Sequence, residues 1–375
     1  SLPAAGCFTE LYCGQPCGTA AGRLSVERKN GCENVLGTDI AIDLGTSSIK
    51  FYLDGKGIVL REPAVVAVNL DTDTVVATGR EAYHMIGRTS DRIQVTYPLF
   101  NGVISDFDLA RHLITHYLRE ISGSKVFMPR VVVSVPCEIT EVEKRAVVDA
   151  ISSSNVRKIC LIEEPVAAAM GAGIDISAPH GSLVIDIGGG TTDMAVLSLS
   201  GISIASSIKT AGNEFDECII KYVRRKYNLI IGKRMAEEAK IAIGCVYPRR
   251  DPLVYRVKGR NAMTGLPQWA DITSDEMLEA MIDPAVQTVN ALQDLLERTP
   301  PELVGDVYED GGVLTGGSAA IFGFPQLLSR KAKMPIRLAE TPEDCVALGA
   351  GKAIRYIDEM DKKEYGALNP LSAAY

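Results

Sequence analysis

Two stretches far apart in the chain carry the same device, and together they constrain the fold more than any other feature. The first is TDIAIDLGTSSIKFYLDG, Thr38 to Gly55; the second is LVIDIGGGTTDMAVLSL, Leu183 to Leu199. In each, an apolar run closes on an Asp (Asp43, Asp186), passes through glycine and hydroxyl residues, and resumes as a second apolar run. A plain hairpin accounts for the glycines, since Gly takes positive φ at no steric cost. It does not account for an acid at the strand end beside Thr46, Ser47 and Ser48 in one copy and beside Thr191 and Thr192 in the other. A phosphate does: bare backbone N–H groups cradle an anion, while hydroxyls and a carboxylate serve phosphate oxygens and a hydrated metal ion. Either copy alone leaves hairpin and phosphate cradle both open. The pair predicts a duplicated architecture whose halves face one shared ligand.

Length agrees, because 375 residues exceed one ordinary core and predict two domains or two lobes around a cleft. The chain is 46% hydrophobic with a formal net charge of −8, which speaks against a general nucleic-acid binder. No run approaches the ~18 apolar residues of a spanning helix. The first residues also lack the basic-then-apolar order of a signal peptide, so a cytosolic protein is the expectation. Cys7, Cys13, Cys17 and Cys32 crowd the first stretch at a spacing unlike the usual zinc fingers. Residues 1–36 therefore read as a disordered extension or the product of an upstream start choice, with a zinc site as the alternative. Cys137, Cys160, Cys218, Cys245 and Cys345 are scattered through apolar segments, as small buried hydrophobes in a reducing compartment are.

Between the two devices, DFDLARHLITHYLREI predicts an amphipathic helix with Leu109, Leu113, Ile114, Tyr117 and Ile121 on its apolar side. His112 and His116 stand at i,i+4 without a third ligand nearby and read as a solvated face. RVVVSVP reads as a buried parallel strand. Thr140 and Glu143 form a capping box for the helix that follows it. KICLIEEPVAAAMGAG reads as a buried strand running into a helix that starts at Pro165. Further helices are expected at Phe215–Lys226, Gly232–Ile243 and Asp275–Glu297, with strands and turns over Val254–Ile272. GGVLTGGSAAIFGFPQLL reads as strand, glycine turn and helix, and TPEDCVALGAGKAI as a helix capped by Thr341.

Five segments in order, DLGTSSIK, LIEEPVAAA, DIGGGTTD, GGVLTGGSAA and CVALGAGKA, resemble the actin-like ATPase superfamily, which includes actin, heat-shock chaperones and sugar kinases. Within it the chain is most similar to the bacterial MreB/Mbl family of rod shape-determining proteins. VVATGREAYHMIGR, NGVISDFDLA, PRVVVSVPCEITEVEKRAV, AGNEFDECIIKYVRRKYNL, AEEAKIAIG and TPPELVGDV carry that likeness, which runs from about Gly37 to Ile357. The resemblance implies an actin-like (ribonuclease H-like) two-lobed α/β fold, each lobe a mixed sheet flanked by helices with a smaller subdomain. Lobe I is expected over 37–178 (small subdomain about 59–90) and lobe II over 179–340 (small subdomain about 211–274). A helix over 341–360 then returns to lobe I, and 361–375 is a tail.

The resemblance also implies ATP and Mg²⁺ in the cleft and a role for each matching residue. Gly45, Thr46, Ser47 and Ser48 form a first phosphate loop and Gly188, Gly189 and Gly190 a second. Asp43 and Asp186 hold Mg²⁺ through water. Lys50 reaches the phosphates, the alternative being a solvated strand lysine. Glu164 polarises the attacking water with Thr191 as hydroxyl partner, Glu163 being the neighbour most easily confused with it. Glu237 and Lys240 line ribose and base, although as sequence alone they read as an i,i+3 salt bridge. Gly316, Gly317, Ser318 and Ala319 turn beside the nucleotide, and Ala347, Gly349 and Gly351 allow close helix packing at a hinge. The loop SGSKVFMPR presents Val126, Phe127 and Met128 to the inner membrane surface, flanked by Lys125 and Arg130; the alternative is that its apolar tip folds back onto the core. GTSS replaces the family's common GTAN, and TGGSAA its TGGGAL.

The function so implied is an ATP-hydrolysing, polymerising cytoskeletal protein whose membrane-associated filaments direct cell-wall synthesis and rod shape. Its partners are then itself, the inner membrane and the cell-wall elongation machinery, with no nucleic acid. A heat-shock-type chaperone module lacks here the β-rich domain that would follow the ATPase. A small-molecule kinase would need an acceptor pocket, for which no motif is present.

Overall fold

The computed structural model describes residues 39–122 and 128–360. The chain divides into residues 1–36 and a second unit from Gly37 onward. The Cys-rich stretch 1–36, Lys125, Val126, Phe127 and the tail 361–375 lie outside the described residues.

Two five-stranded sheets share one topology. In the first, Lys158–Glu163, Arg130–Val135, Ile40–Leu44, Ser48–Leu53 and Gly57–Pro63 lie side by side. In the second the order is Ile336–Leu338, Gly312–Thr315, Ser182–Ile187, Thr192–Ser198 and Gly201–Ile208. Each sheet is a three-stranded antiparallel meander continued by two parallel strands on the side of its first strand. The duplication expected from the twin glycine devices is thus repeated strand for strand, and each device is the first hairpin of its sheet. Apart from Asp43, Asp186 and the partly buried Ser182, the central strands are apolar on both faces and buried, as strands covered by helices on either side must be.

Each copy carries a small sheet inserted between its meander and its parallel strands. Val66–Asn69, Thr74–Thr78 and Ile93–Thr96 form the first, beside the Gly79–Met85 helix. Leu229–Ile230, Val254–Asn261 and Pro267–Thr273 form the second, beside the Lys233–Ile243 helix. The amphipathic helix runs Phe107–Ser122 and buries Leu113, Ile114 and Tyr117. The capping box closes reciprocally between Thr140 and Glu143, and a second, unforeseen one joins Thr273 and Glu276 at the start of the Ser274–Arg298 helix.

Two starts differ from expectation. The helix after Lys158–Glu163 begins at Glu164, with Pro165 inside its first turn. Thr341 caps nothing with its side chain: a short 3₁₀ turn, Pro342–Asp344, precedes the Cys345–Ala353 helix. That turn is held instead by Arg61, whose guanidinium grips the Asp344 carboxylate bidentately at 2.7 and 3.1 Å.

The Glu164–Gly171 and Cys345–Ala353 helices follow the last strand of each sheet and pack on one another. Their Ala167, Ala168, Val346 and Ala350 join Ala41 and Val132 of one sheet to Val184 and Ala195 of the other in a single buried cluster. A Cβ on Gly349 would stand 1.7 Å from the Ala167 carbonyl oxygen, and one on Gly171 1.8 Å from that of Cys345. Glycine is therefore obligatory where the two backbones touch.

Candidate functional site

The cleft between the two sheets encloses about 770 Å³ and is lined by both hairpin turns, the Glu164 helix start, the Lys233–Ile243 helix and the Gly316–Ile321 turn. Nearly every residue singled out from the sequence meets there: Asp43, Gly45, Thr46, Ser47, Ser48, Lys50, Glu164, Asp186, Gly188, Gly189, Gly190, Thr191, Glu237, Lys240, Gly316, Gly317 and Ser318. Ala319 does not. Its methyl turns into the core of the second lobe.

The two glycine turns approach each other across the cleft. A Cβ on Gly189 would fall 2.0 Å from Ser47 Oγ, and one on Gly190 2.5 Å from Thr46 Oγ1. Thr46 Oγ1 in turn accepts the Gly102 N–H at 2.9 Å, which anchors the first turn to its own lobe. The second turn is anchored by Ser318, whose hydroxyl donates to the Gly188 carbonyl at 2.7 Å. The N–H groups of Gly212 and Asn213 bond the Gly188 and Gly189 carbonyls as well. The Gly188 N–H closes the second turn on the Thr191 carbonyl at 2.9 Å, so what that turn offers the cleft is the N–H of Gly189 and Gly190, beside the hydroxyls of the first turn, the chemistry of an anion cradle.

Acids dominate the floor. Asp43, Glu164 and Asp186 line it and are buried, with Lys50 the cation among them, and Asp193 is buried opposite Asp186 without lining the cleft itself. Asp186 and Asp193 stand directly opposite across the second hairpin. Thr315 donates to Asp186 Oδ1 at 2.7 Å, and the Cys137 thiol lies 3.2 Å from Asp193 Oδ1. Burial, helped by the neighbouring acids, pushes Asp186 up to about 7 despite the Thr315 hydroxyl. Burial first, then Asp193, Asp186 and Asp43, raise Glu164 well above the ordinary carboxyl range. Such a surplus of buried acid fits a divalent cation. Among the described residues no three His, Cys, Asp or Glu side chains converge to ligate one directly.

Lys50 is neither solvated nor free. Its ammonium lies 3.0 Å from Asp43 Oδ2 and also donates to the Glu343 carbonyl. Burial acts to lower its pKa, but Asp43, Asp344 and Asp186 outweigh that and hold it raised. The i,i+3 pairing of Glu237 with Lys240 is not formed. Lys240 Nζ bonds Asp216 Oδ2 and the Gly212 carbonyl, each at 2.9 Å, because a buried ammonium needs partners on the side it faces. Glu237 instead accepts the Tyr83 hydroxyl at 2.6 Å. Glu163, the neighbour confused with Glu164, is half-buried at the helix cap and does not line the cleft.

Sequence reasoning missed Asp193, Asp216, Arg61 and Tyr83. Asp193 ends the quoted DIGGGTTD segment and faces Asp186, so its hairpin register was the available signal. The others find partners in distant segments and leave no local trace. His112 and His116 stack away from the cleft beside a second hollow that includes Glu62 and Arg80. Arg130 is bound to Asp39 and Asp358, so it is not the headgroup-facing cation expected beside the apolar loop. Met128, the described part of that loop tip, is half-exposed.

A family model described as "MreB/Mbl protein" matches residues 37–362. The cell shape-determining protein Mbl of Bacillus cereus is 43% identical over 326 residues, covering 87% of this chain and 98% of that protein. The cell shape-determining protein MreB of Escherichia coli is 43% identical over 326 residues, covering 85% and 94%. Among solved structures, MreB 5 of Spiroplasma citri bound to AMPPNP superposes with a TM-score of 0.83 at 34% identity, covering 87% of this chain and 98% of that one.

Proposed function

Because the chain belongs to the MreB/Mbl family, we propose that it is a cell shape-determining cytoskeletal ATPase. It binds ATP with Mg²⁺ in the cleft, polymerises into filaments on the inner face of the cell membrane, and there directs the cell-wall elongation machinery. The observation that carries this reading is the meeting of two anion-cradling turns over the buried acids Asp43, Glu164 and Asp186. The relative with AMPPNP bound supports a nucleotide as the occupant.

In this reading Gly45, Thr46, Ser47 and Ser48 on one side and Gly189 and Gly190 on the other hold the phosphates by N–H and hydroxyl donors, while Gly188, whose N–H bonds the Thr191 carbonyl, shapes the second loop. Lys50 adds a point charge by exchanging Asp43 for phosphate oxygen. A magnesium ion supplies neutralisation of phosphate charge, and Asp43 and Asp186 fix its waters. Glu164, at a helix start and facing the cleft, orients the attacking water, and Thr191 completes that contact. Phosphoryl transfer asks little covalent chemistry of the protein, so alignment and charge suffice. Glu237 and Lys240 face the sugar and base, with Gly316, Gly317 and Ser318 giving the nucleotide room against backbone.

Membrane attachment is assigned to Val126, Phe127 and Met128. A single contact of this size binds weakly, and a filament multiplies it. Sedimentation of the full chain with Mg-ATP, followed by flotation with anionic liposomes, tests both parts. Nucleotide-dependent pelleting is expected. Val126→Ser with Phe127→Ser should pellet normally and fail to float. A protein that stays soluble with every nucleotide tried would overturn the cytoskeletal reading.

A further inference from the structure

We propose that Tyr83 is a positioning residue for the nucleotide sugar: its phenol reaches across the cleft mouth and holds the Glu237 carboxylate to receive a ribose hydroxyl. This rests on the nucleotide reading above. Tyr83 sits on the short Gly79–Met85 helix, packed against Val65, Ala67 and Ala82 of the first small sheet region. Glu237 sits 154 residues away on the Lys233–Ile243 helix of the other lobe, and both line the cleft.

The contact is directional. Tyr83 Oη donates to Glu237 Oε2 at 2.6 Å, the short range of a bond to an ionised acceptor. Burial and then the carboxylate itself raise the phenol well above its ordinary range, so it stays a donor. Lys240, on the same helix, does not compete for the carboxylate because it is committed to Asp216. Arg234 lies over the Tyr83 ring, its Cζ 5.6 Å from the centroid, while its Nε holds Glu238 at 2.9 Å. The ring is thereby fixed from above and the carboxylate from in front.

One oxygen of Glu237 is taken by Tyr83, and among the described residues the other accepts no hydrogen bond. An ionised carboxylate is an acceptor only, and a ribose offers hydroxyl donors. The free oxygen therefore suits a sugar hydroxyl, and Tyr83 sets where that oxygen points. The same bond spans the two lobes, so it also resists opening of the mouth while a nucleotide is bound.

The test uses the full chain, below the concentration at which it assembles, with etheno-ADP, whose label is on the base and leaves the sugar untouched. Release is timed by stopped flow, and competition is run with ADP and its 2′- and 3′-deoxy analogues. Tyr83→Phe should release etheno-ADP about tenfold faster and lose most of the preference for ADP over the deoxy analogues. Arg234→Met, which removes the cation above the ring together with its bond to Glu238, should move both readouts the same way by less. Faster release with the sugar preference intact would make Tyr83 a strap alone and overturn the proposal. Unchanged release and preference in both variants would overturn it too. Failure of the unmodified protein to bind etheno-ADP is a separate result, since it does not involve Tyr83. It would remove the nucleotide reading and this inference with it.

Discussion

Lys50 stands directly opposite Asp43 across the first hairpin, its Nζ 3.0 Å from Oδ2, with the two side chains 11% and 10% exposed. At the matching place in the second hairpin, the register sets Asp186 against Asp193. One copy of the device therefore presents an acid–base pair and the other an acid–acid pair. Like charges directly opposite one another destabilise a sheet. The second hairpin tolerates this arrangement because burial pushes the Asp186 carboxyl up to about 7, so the two acids need not both be charged.

The first expectation concerns Lys50 itself. Lys50→Met strands Asp43 and removes the cation that Glu164 and Asp186 also feel. Breaking a buried pair from one side costs about 3 kcal/mol. Urea unfolding should show that loss, whereas Lys56→Met on the exposed turn should stay within about 0.5 kcal/mol of the unmodified protein. Equal effects from the two substitutions would mean the Lys50–Asp43 pair contributes nothing.

Asp186 gives a pH dependence with a definite sign. Its carboxyl is pushed by burial from 3.8 up to about 7 in the folded protein. Below about pH 4 both folded and unfolded chains hold the proton, and the contribution to stability is fully present. As pH rises from there to 7 the unfolded chain ionises first, so stability is lost progressively, by roughly 2 to 4 kcal/mol. Asp186→Asn should remove that slope. In chelator it should match the unmodified protein near pH 4 to 5 and exceed it in stability at pH 8, while binding Mg-ATP more weakly. A stability difference independent of pH would show that the residue ionises in the fold as easily as in water.

The hairpins, their acids and their glycines were legible because each is a local pattern, repeated once. The capping box at Thr140 and the helix at Phe107–Ser122 were legible for the same reason. What was hidden is partner choice over long separations. Arg61 meets Asp344 across 283 residues and Tyr83 meets Glu237 across 154, and neither pair has a sequence signature. Charges at i,i+3 predict a pair only if nothing better is in reach; Lys240 had Asp216 in reach. Arg130 beside an apolar loop read as a headgroup ligand, yet Asp39 and Asp358 neutralise it. Local grammar specifies elements, and tertiary electrostatics decides which charges remain available.

Glu164 and Glu163 separate cleanly by position, the first facing the cleft and the second at its helix cap outside it. Glu164→Ala removes water alignment without touching the glycine turns. Single-turnover hydrolysis should slow by about 10² or more while nucleotide affinity is kept. Filaments should then persist longer after ATP is added. Glu163→Ala should hydrolyse at the unmodified rate. An exchange of the two outcomes would reassign the water to Glu163.

The contact between the Glu164–Gly171 and Cys345–Ala353 helices makes the sharpest demand on a single atom. A methyl on Gly349 would meet the Ala167 carbonyl oxygen at 1.7 Å and its carbon at 2.5 Å, both backbone atoms that cannot rotate away. Gly349→Ala must therefore push the Glu164–Gly171 and Cys345–Ala353 helices apart. These helices bridge the two sheets, so strain there reaches the walls of the cleft. Overpacking of this kind costs about 3 kcal/mol, which thermal unfolding should register as a large drop in Tm. Gly305 is the matched control, a glycine inside the Pro301–Asp310 helix with open space where its Cβ would go. Gly305→Ala should leave Tm unchanged or raise it, since alanine is the better helix former by about 1 kcal/mol. If Gly349→Ala instead melted with the control, the two helices would be held by something other than backbone contact. The cleft would then not depend on their spacing.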